Sequence, residues 1–327
     1  MGETAIEERN WQREFIRLYT SANLDDGRKS FALKSKHLPP KLYRYRPVSE
    51  SNLCHRIREI TEGELFLSHP KEFNDPFECW SVLHSASPTK YVDKFTYVDY
   101  YYRTGKTEEL RVILQNDEWF EALTAMQISK ATSSSEAEET KRAIEESIMF
   151  AMEDINKEIR KRITDMIRFA SFSTTATNLP MWYHYTDKRK GICLEYSTQD
   201  IIDVYQRNSL FPVQYVEHLP DMTYMLAHRD KTMISMPVYL SFHKLKDWAY
   251  ENEWRMIYDS GYWTRNGQRL PAGFEDKGVA INFIRPSKVI LGTDIEPNIE
   301  ERITTCAQSS GIKVVKAELT EYGLSIE

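Results

Sequence analysis

Cysteine is scarce in this sequence, and the spacing of the few cysteines excludes two kinds of small stabilised domain. The four cysteines, Cys54, Cys79, Cys193 and Cys306, lie far apart and form no CxxC pair. Zinc ribbons need closely spaced cysteine pairs, and disulfide scaffolds need a high cysteine density. We therefore expect neither, and the cysteine content fits a reducing cytoplasm best.

Long apolar runs are also missing. No stretch approaches the roughly 18 apolar residues that a bilayer-spanning helix needs, and the mean hydropathy is −0.56. Residues 1–26 carry charges through their middle and lack the apolar core and cleavage site of a signal peptide. These absences predict a cytoplasmic protein that has no membrane partner.

The sequence has no excess of positive charge and lacks the common nucleotide-binding and catalytic motifs. It contains 43 Lys and Arg against 49 Asp and Glu, a net charge of −6 at pH 7. This balance argues against a strongly basic nucleic-acid coat but leaves room for a local basic groove. No GxGxxG, Walker A, GxSxG or HExxH pattern occurs, so dehydrogenase, P-loop and α/β-hydrolase functions lack their motifs. No metal site is predicted.

The composition is that of a folded chain with a sizeable core. Its 327 residues are 41% apolar and 12% aromatic, and domains of roughly 100–200 residues allow one elaborated domain or two modest ones. We assign residues 1–36 to an N-terminal helical segment and residues 37–327 to a single α+β domain. Helical periodicity dominates residues 88–165, which indicates a large helical insertion in that domain.

Apolar periodicity predicts an α+β fold with a mixed, partly antiparallel sheet. Helices are expected over residues 3–21, 49–61 and 181–187, and near 198–208, 220–233 and 297–309. Strands are expected over residues 42–47, 64–68, 167–173, 191–197, 211–216, 253–258, 278–283, 288–292 and 313–319. A polar stretch from residue 25 to residue 36 separates the first helix from the first strand.

The first candidate site is the alternating segment from Tyr43 to Arg46 on the first predicted strand. Period-two alternation places Arg44 and Arg46 on one face of that strand and Tyr43 and Tyr45 on the other. Two guanidinium groups beside aromatic rings suit a phosphate and a flat base. The alternative is a surface strand whose arginines are solvated.

The second candidate is the hydroxyl-rich end of the strand over 167–173. Four hydroxyl-bearing residues lie among or after its apolar residues: Ser171, Ser173, Thr174 and Thr175. Hydroxyl groups at a strand end can hold a ribose or orient a carboxylate. Ordinary turn chemistry is the alternative explanation.

The third candidate is a pair of glutamates at the start of the strand over 253–258. Strand spacing puts Glu251 and Glu253 on one side, where two carboxylates repel each other unless cations or a substrate compensate. Such a pair indicates a functional site. The alternative is that one glutamate simply pairs with Arg255 or Lys246.

The order of these three pieces resembles that of the arginine-serine-glutamate ADP-ribosyltransferases. The resemblance implies that Arg46 or Arg44 contacts the phosphates of NAD and that Ser173 with Thr174 forms the serine segment. It further implies that Glu253 grips the ribose and that Glu251 polarises the acceptor. This chain reads Ser-Thr-Thr where that family prefers Ser-Thr-Ser, and its helical insertion is larger than the family core needs.

The chemistry that the resemblance implies is consumption of NAD. Cleavage of its N-glycosidic bond develops an oxocarbenium ion, and a fixed carboxylate stabilises that charge near the transition state. The product would be an ADP-ribosylated protein or nucleic acid, with a role in bacterial conflict or phage defence.

A second resemblance covers the chain from about Leu42 to Leu319. The strings YRYRP, GELFLSHPKEFNDPFEC, FSTTATNLPMWYHYTDKRKGICLEY and WAYENEWRMIY are similar to those of the bacterial domain-of-unknown-function family 2971 (DUF2971). The family name carries no activity.

Two of these strings add candidate binding residues. In FNDPFE, Asn74 and Asp75 precede a proline in a turn, where Asp75 can accept backbone N–H groups or hold an arginine. In the MWYHYTDKRK string, an aromatic shelf beside cations can stack a base and hold a phosphate. A core helix that ends in a solvated turn is the alternative, and it is favoured for Trp182. The candidates here are Trp182, His184, Tyr185 and Lys190.

Two other function classes stay open. A nucleic-acid-binding or nuclease-like module would use Arg44 and Arg46 with the basic turn at Lys188, Arg189 and Lys190. A regulatory protein would bind partners through the N-terminal helix and the helical insertion. The oligomeric state is open in every case.

Overall fold

The computed structural model of the chain describes residues 3–21, 23–80, 125, 128–205, 209–220, 236–260, 274 and 277–326. Contacts divide the chain into two compact units. The first unit consists of Met1–Cys79, Ile163–His218 and Ile234–Glu327, and the second consists of Trp80–Arg162 and Leu219–Met233. All of the described strands lie in the first unit.

Helices and strands are interspersed along the described part of the chain. The helices are α1 (Glu3–Tyr19), α2 (Leu24–Lys36), α3 (Leu53–Thr61), α4 (Ser134–Met166), α5 (Leu179–Tyr185), α6 (Thr198–Tyr205), α7 (Met236–Ser241) and α8 (Pro297–Ser309), with 3-10 turns at Pro70–Glu72 and Lys246–Glu251. The strands are β1 (Lys41–Arg46), β2 (Glu64–Ser68), β3 (Ile167–Ser173), β4 (Ile192–Ser197), β5 (Leu210–Pro212), β6 (Gln214–Val216), β7 (His243–Leu245), β8 (Glu253–Asp259), β9 (Gly278–Asn282), β10 (Lys288–Leu291), β11 (Lys313–Thr320) and β12 (Gly323–Ile326).

The predicted fold class is confirmed, because helices flank a mixed, partly antiparallel sheet. The ten-stranded sheet has the order β12-β11-β10-β4-β1-β3-β2-β9, and β8 adds to β3 and carries β5. β10 and β11 are parallel, whereas β1 is antiparallel to both β4 and β3. β6 and β7 form a separate two-stranded parallel sheet.

The sheet branches at β3. β8 pairs with β3 along the whole length of β3, ending at Ser173 opposite Glu253. On the other edge of β3, β1 pairs only at Tyr43 opposite Ser173, and β2 pairs only at Ser68 opposite Phe169. β1 and β2 therefore diverge from β3 at its two ends, and a gap opens between them.

The two faces of the sheet pack on different helices, as strand alternation requires. On β4, Ile192, Leu194 and Tyr196 belong to the main core, whereas Cys193 belongs to a smaller cluster. The main core includes Leu53 and Ile60 of α3 and Ile299, Ile303 and Ala307 of α8. The smaller cluster includes Tyr45 of β1, Met181 and Trp182 of α5 and Ile290 of β10.

Two helices show how the sequence sets element boundaries. The side-chain Oδ1 of Asn23 accepts a hydrogen bond from the backbone N–H of Asp25 at 2.9 Å and caps α2. α2 occupies the stretch that the sequence indicated only as polar. α4 begins at the predicted serine run, where the Oγ of Ser133 accepts from the N–H of Glu136 at 3.2 Å.

Parts of two sequence predictions fall outside the described residues. Residues 134–165 of the predicted helical insertion lie in α4, but residues 88–124, 126 and 127 lie outside the described ranges. Residues 221–233 of the helix predicted near 220–233 lie outside as well. Within the part of the chain that the structure describes, no helix is both long and apolar enough to cross a membrane.

A left-handed turn links α5 to β4. Three successive residues, Asp187, Lys188 and Arg189, have φ angles of 49°, 57° and 70°, and left-handed backbone costs roughly 1–2 kcal/mol for each such residue. The loop after β10 stabilises the turn, because the N–H of Gly292 donates to the carbonyl of Gly191 at 2.9 Å. A Cβ atom at Gly292 would lie only 2.0 Å from the carbonyl oxygen of Arg189.

We predict that Gly292→Ala lowers the free energy of unfolding by about 1–3 kcal/mol, because backbone atoms leave no room for a methyl group. Gly27→Ala is the matched control, since a Cβ atom there meets nothing within 4 Å. Gly27 lies in α2, where alanine should add up to about 1 kcal/mol. Urea unfolding compares the two variants, and equal effects would contradict this description of the turn.

Candidate functional site

A cleft of about 220 Å³ opens in the gap where the sheet branches. One wall comes from β1, another from β3, and a third from the end of β2 with the loop that follows it. The start of β8, the turn before it and α5 close the remaining side. The lining residues are Tyr43, Arg44, Tyr45, Arg46, Ser68, Glu72, Phe73, Asn74, Phe169, Ala170, Ser171, Phe172, Ser173, Met181, Tyr185, Lys244, Glu251 and Glu253.

Arg44 and Arg46 form a positively charged end of the cleft. Both point toward α3, where their Nε atoms lie 3.3 Å and 3.2 Å from the carboxylate of Glu59. Arg56 of α3 pairs with the same carboxylate. Three guanidinium groups therefore share one carboxylate, which leaves this end of the cleft with a net positive charge.

Arg44 is buried rather than solvated, so the surface-strand alternative is wrong for this residue. Its side chain is 5% exposed, and its NH2 group donates to the carbonyl of Phe66 at 2.8 Å. Its NH1 group is buried and makes no hydrogen bond to any of the described residues. A buried guanidinium donor without a partner is costly, and it fits an anionic ligand.

The serine segment contacts the glutamate pair through the backbone. The Oγ of Ser173 donates to the carbonyl of Glu251 at 2.7 Å and accepts from the N–H of Thr175 at 3.3 Å. The N–H of Thr174 donates to the carbonyl of Asn252 at 3.1 Å. Ser171 and Ser173 line the cleft, whereas Thr174 is exposed outside it.

Glu251 and Glu253 lie together, although not through strand spacing. Glu251 ends a 3-10 turn, and Glu253 begins β8. Asn252 between them has φ 46° and ψ 54°, a left-handed conformation that asparagine tolerates better than most residues. This one residue turns both carboxylates toward the same cation, Lys244 of β7.

Lys244 and Arg255 hold the two glutamates in a buried charge cluster. The Nζ of Lys244 contacts the Oε2 of Glu251 and lies 3.3 Å from the Oε2 of Glu253. The Nε of Arg255 lies 2.7 Å from the Oε1 of Glu253. The NH1 and NH2 groups of Arg255 donate to both oxygens of Glu78 at 2.6 Å and 2.9 Å. Three carboxylates therefore surround two cations.

Burial and neighbouring charges separate the pKa values of the two glutamates. Burial and the charge of Glu253 raise the pKa of Glu251 from 4.5 to about 7. Burial would also raise the pKa of Glu253, but Arg255 and Lys244 outweigh it and lower this pKa to about 2. Two adjacent carboxyl groups with pKa values pushed apart are typical of acid–base sites. Glu251 can therefore exchange a proton near neutral pH while Glu253 stays ionised.

This raised pKa predicts a pH dependence of stability. Between about pH 4.5 and pH 7 the folded protein binds a proton at Glu251 that the unfolded chain has released, so stability falls as the pH rises. Glutamine resembles the protonated acid and should remove this slope. We therefore expect Glu251→Gln to become more stable relative to the wild type by up to about 1.4 kcal/mol for each pH unit in this window.

Chemical denaturation at several pH values measures this difference. Glu253 contributes in the opposite direction and in a different window, because its lowered pKa gives stability that is lost only as the pH falls from about 4.5 toward 2. A stability difference between wild type and Glu251→Gln that stays constant from pH 4.5 to pH 8 would contradict the raised pKa.

Three aromatic candidates differ in position: Trp182 lies in the core, Tyr185 lines the cleft, and Tyr45 does both. Trp182 is 0% exposed, and its Nε1 donates to the carbonyl of Ala176 at 2.6 Å. Tyr45 packs edge-on against Trp182 with ring centroids 5.4 Å apart and donates from its Oη to the carbonyl of Thr175. Tyr185 lines the cleft and donates from its Oη to the Oε1 of Glu251. Only Tyr185 of these three contacts the charge cluster.

The other candidates lie at the rim of the cleft or away from it. Asn74 lines the cleft, whereas Asp75 is buried and its Oδ1 accepts from the N–H of Phe77 at 2.9 Å. His184 and Lys190 are exposed and do not line the cleft. In the basic turn, Arg189 pairs with Asp294 at 2.7 Å.

Sequence patterns did not predict two residues of the charge cluster, Lys244 and Glu78. Lys244 lies two residues before Lys246, so period-two spacing could have proposed either lysine as a partner for the glutamates. Lys246 instead pairs with Glu217. Glu78 lies within the FNDPFE string, but nothing in that string indicates a contact with Arg255, 177 residues away.

Comparison with known proteins gives a family match over part of the chain. Residues 181–256 match the family model described as "Protein of unknown function (DUF2971)". This match supports the resemblance to that family over less than half of the chain, and the wider resemblance from Leu42 to Leu319 stays a prediction. No curated protein and no solved structure gives a significant match to the chain. The matched segment includes Tyr185, Lys244, Glu251, Glu253 and Arg255.

Proposed function

We propose that this protein is an NAD-consuming enzyme, an ADP-ribosyltransferase or NAD glycohydrolase, whose site is the cleft at the branched sheet. The observation that carries the proposal is one row of residues across three neighbouring strands. Tyr43 on β1 lies opposite Ser173 on β3, and Ser173 lies opposite Glu253 on β8. The arginine, serine and glutamate segments are thus adjacent in the order of the ADP-ribosyltransferase pattern.

The charges of the cleft support a substrate with two different ends. Arg44 and Arg46 offer guanidinium donors at one end, and such donors bind phosphate oxygens well. Glu251 and Glu253 lie at the other end, where a sugar that develops positive charge is stabilised. NAD carries a diphosphate and a nicotinamide ribose within one molecule.

The proposed reaction uses each glutamate differently. The bond between the nicotinamide nitrogen and C1 of the ribose breaks, and its electron pair leaves with nicotinamide. Glu253 stabilises the positive charge on the ribose. Arg255 orients the carboxylate of Glu253, and Glu78 balances the charge of Arg255. Glu251 accepts the proton of the attacking water or acceptor group as the new bond to C1 forms. The acceptor is a protein or a nucleic acid in the transferase case, and the setting is cytoplasmic.

The proposal predicts that Arg46 contributes to NAD binding. Arg46→Gln should weaken the affinity for NAD about tenfold to a hundredfold, because one charge-assisted contact contributes roughly 1.5–3 kcal/mol. Arg302→Gln is a matched control, since Arg302 is exposed and pairs only with Glu50 among the described contacts. Calorimetric titration with NAD measures both. If the wild type does not bind NAD, or if both variants bind it equally well, the phosphate assignment fails.

A further inference from the structure

The lysine between the two glutamates is the feature that the proposed reaction does not explain. Lys244 is nearly fully buried, lines the cleft, and contacts a carboxylate oxygen of each glutamate. Its ammonium also lies 4.7 Å from the ring centroid of Trp248. It belongs to none of the three segments of the ADP-ribosyltransferase pattern.

The geometry allows Lys244 to act on both carboxylates at once. Two carboxylates that share a site cannot both stay ionised without a compensating cation. Arg255 contacts Glu253 but not Glu251 among its described contacts, so Lys244 is the cation that the two glutamates have in common. Tyr185 satisfies the other oxygen of Glu251.

We propose that Lys244 is a positioning residue of the cleft, whose ammonium holds Glu251 and Glu253 as one unit and determines how readily Glu251 takes up a proton. Lys244 itself stays protonated, because the two carboxylates raise its pKa against the effect of burial. The catalytic meaning of this role rests on the proposed function, whereas the protonation of Glu251 is measurable without NAD. The titratable and charged groups that face this unit are Glu78, Tyr185, Tyr215, Tyr250 and Arg255.

The test is a pH titration of the Glu251 carboxyl by infrared difference spectroscopy, with the band assigned by its absence in Glu251→Gln. Lys244→Met should move the midpoint upward by about 1–3 pH units, because a cation in contact is lost. Lys244→Arg keeps the charge and should leave the midpoint within about half a unit of the wild type. Lys246→Met is the matched control, since Lys246 is exposed and pairs with Glu217, and it should change nothing.

A charge-balanced variant keeps the test decisive if Lys244→Met does not fold. Lys244→Met combined with Glu253→Gln removes one charge of each sign, and its Glu251 midpoint should lie above that of Glu253→Gln alone. Glu253→Gln alone removes a neighbouring negative charge, so it should move the Glu251 midpoint downward. An unchanged midpoint in folded Lys244→Met overturns the proposal, as does a Glu253→Gln/Lys244→Met midpoint equal to that of Glu253→Gln alone.

Activity separates this proposal from the proposed function. If the wild type releases nicotinamide from NAD, the acidic limb of its pH profile should shift in Lys244→Met by the same number of units as the infrared midpoint, and Lys244→Arg should restore it. If no nicotinamide is released, the NAD assignment fails. The infrared titration then still decides whether Lys244 controls the protonation of Glu251.

Discussion

Replacing Arg255 by methionine is expected to lower the free energy of unfolding by about 3–5 kcal/mol, because it leaves two buried carboxylates without their common cation. Arg255 is 0% exposed and donates to both oxygens of Glu78 and both oxygens of Glu253. Its guanidinium also lies 4.4 Å from the ring centroid of Phe169. The loss should therefore be among the largest of any single substitution in the described core.

The measurement is urea unfolding monitored by tryptophan fluorescence. Arg302→Met is the matched control, because Arg302 forms an exposed pair with Glu50 and such pairs contribute at most about 1 kcal/mol. Arg255→Lys should fall between the two, since lysine keeps the charge but cannot bind two carboxylates through paired donors. If Arg255→Met costs no more than Arg302→Met, the buried cluster does not have the structure described here.

Replacing Glu253 by glutamine is expected to reduce nicotinamide release from NAD at least about a hundredfold for each folded molecule. Glutamine keeps the shape of the side chain but removes the negative charge that, in the proposed reaction, stabilises the developing oxocarbenium ion. Arg255 donates to both oxygens of Glu78 in the wild type, and we expect these contacts to remain in this variant. The fold should therefore survive, with a smaller loss of stability than in Arg255→Met.

A control glutamate outside the cleft makes this result interpretable. Glu300 lies on α8 and pairs with Lys316 at 2.6 Å, so Glu300→Gln should leave nicotinamide release unchanged. The thermal unfolding of each variant shows how much of it is folded during the assay. A Glu253→Gln variant that is folded and fully active would remove Glu253 from the mechanism.

Much of the sheet follows from sequence patterns. The predicted strands over 64–68 and 167–173 and the helix over 297–309 have the boundaries observed for β2, β3 and α8. Their apolar residues recur with a single period between clear turn residues, which is the condition under which periodicity determines an element. Alternation also placed Arg44 and Arg46 on one face of β1, and both contact Glu59 on that side.

α2 shows why some elements have no such pattern. It contains Gly27, and its buried positions include Ser30 and Lys34 rather than a row of apolar residues. The Nζ of Lys34 donates to the carbonyl of Leu210 at 2.7 Å, 176 residues away. Because tertiary contacts satisfy these polar groups, the local sequence looks like a polar linker.

The complete charge cluster could not be predicted from the sequence, because it also depends on tertiary contacts. Strand spacing predicted that Glu251 and Glu253 lie on one side of a strand. In the structure, the left-handed backbone at Asn252 changes the direction of the chain between them. β7, which carries Lys244, is three residues long, too short for a period to be detected. Glu78 and Arg255 meet only because the loop after β2 folds against β8, and a single sequence does not show that contact.

The most direct test of the central claim is a time course of nicotinamide release from NAD by the purified wild-type protein, alone and with DNA, RNA or cell proteins as acceptors. Glu253→Gln and Glu300→Gln are assayed beside it. We predict release by the wild type and by Glu300→Gln, and almost none by Glu253→Gln. No release by the wild type with any acceptor, or equal release by all three proteins, would contradict the assignment of this cleft to NAD cleavage.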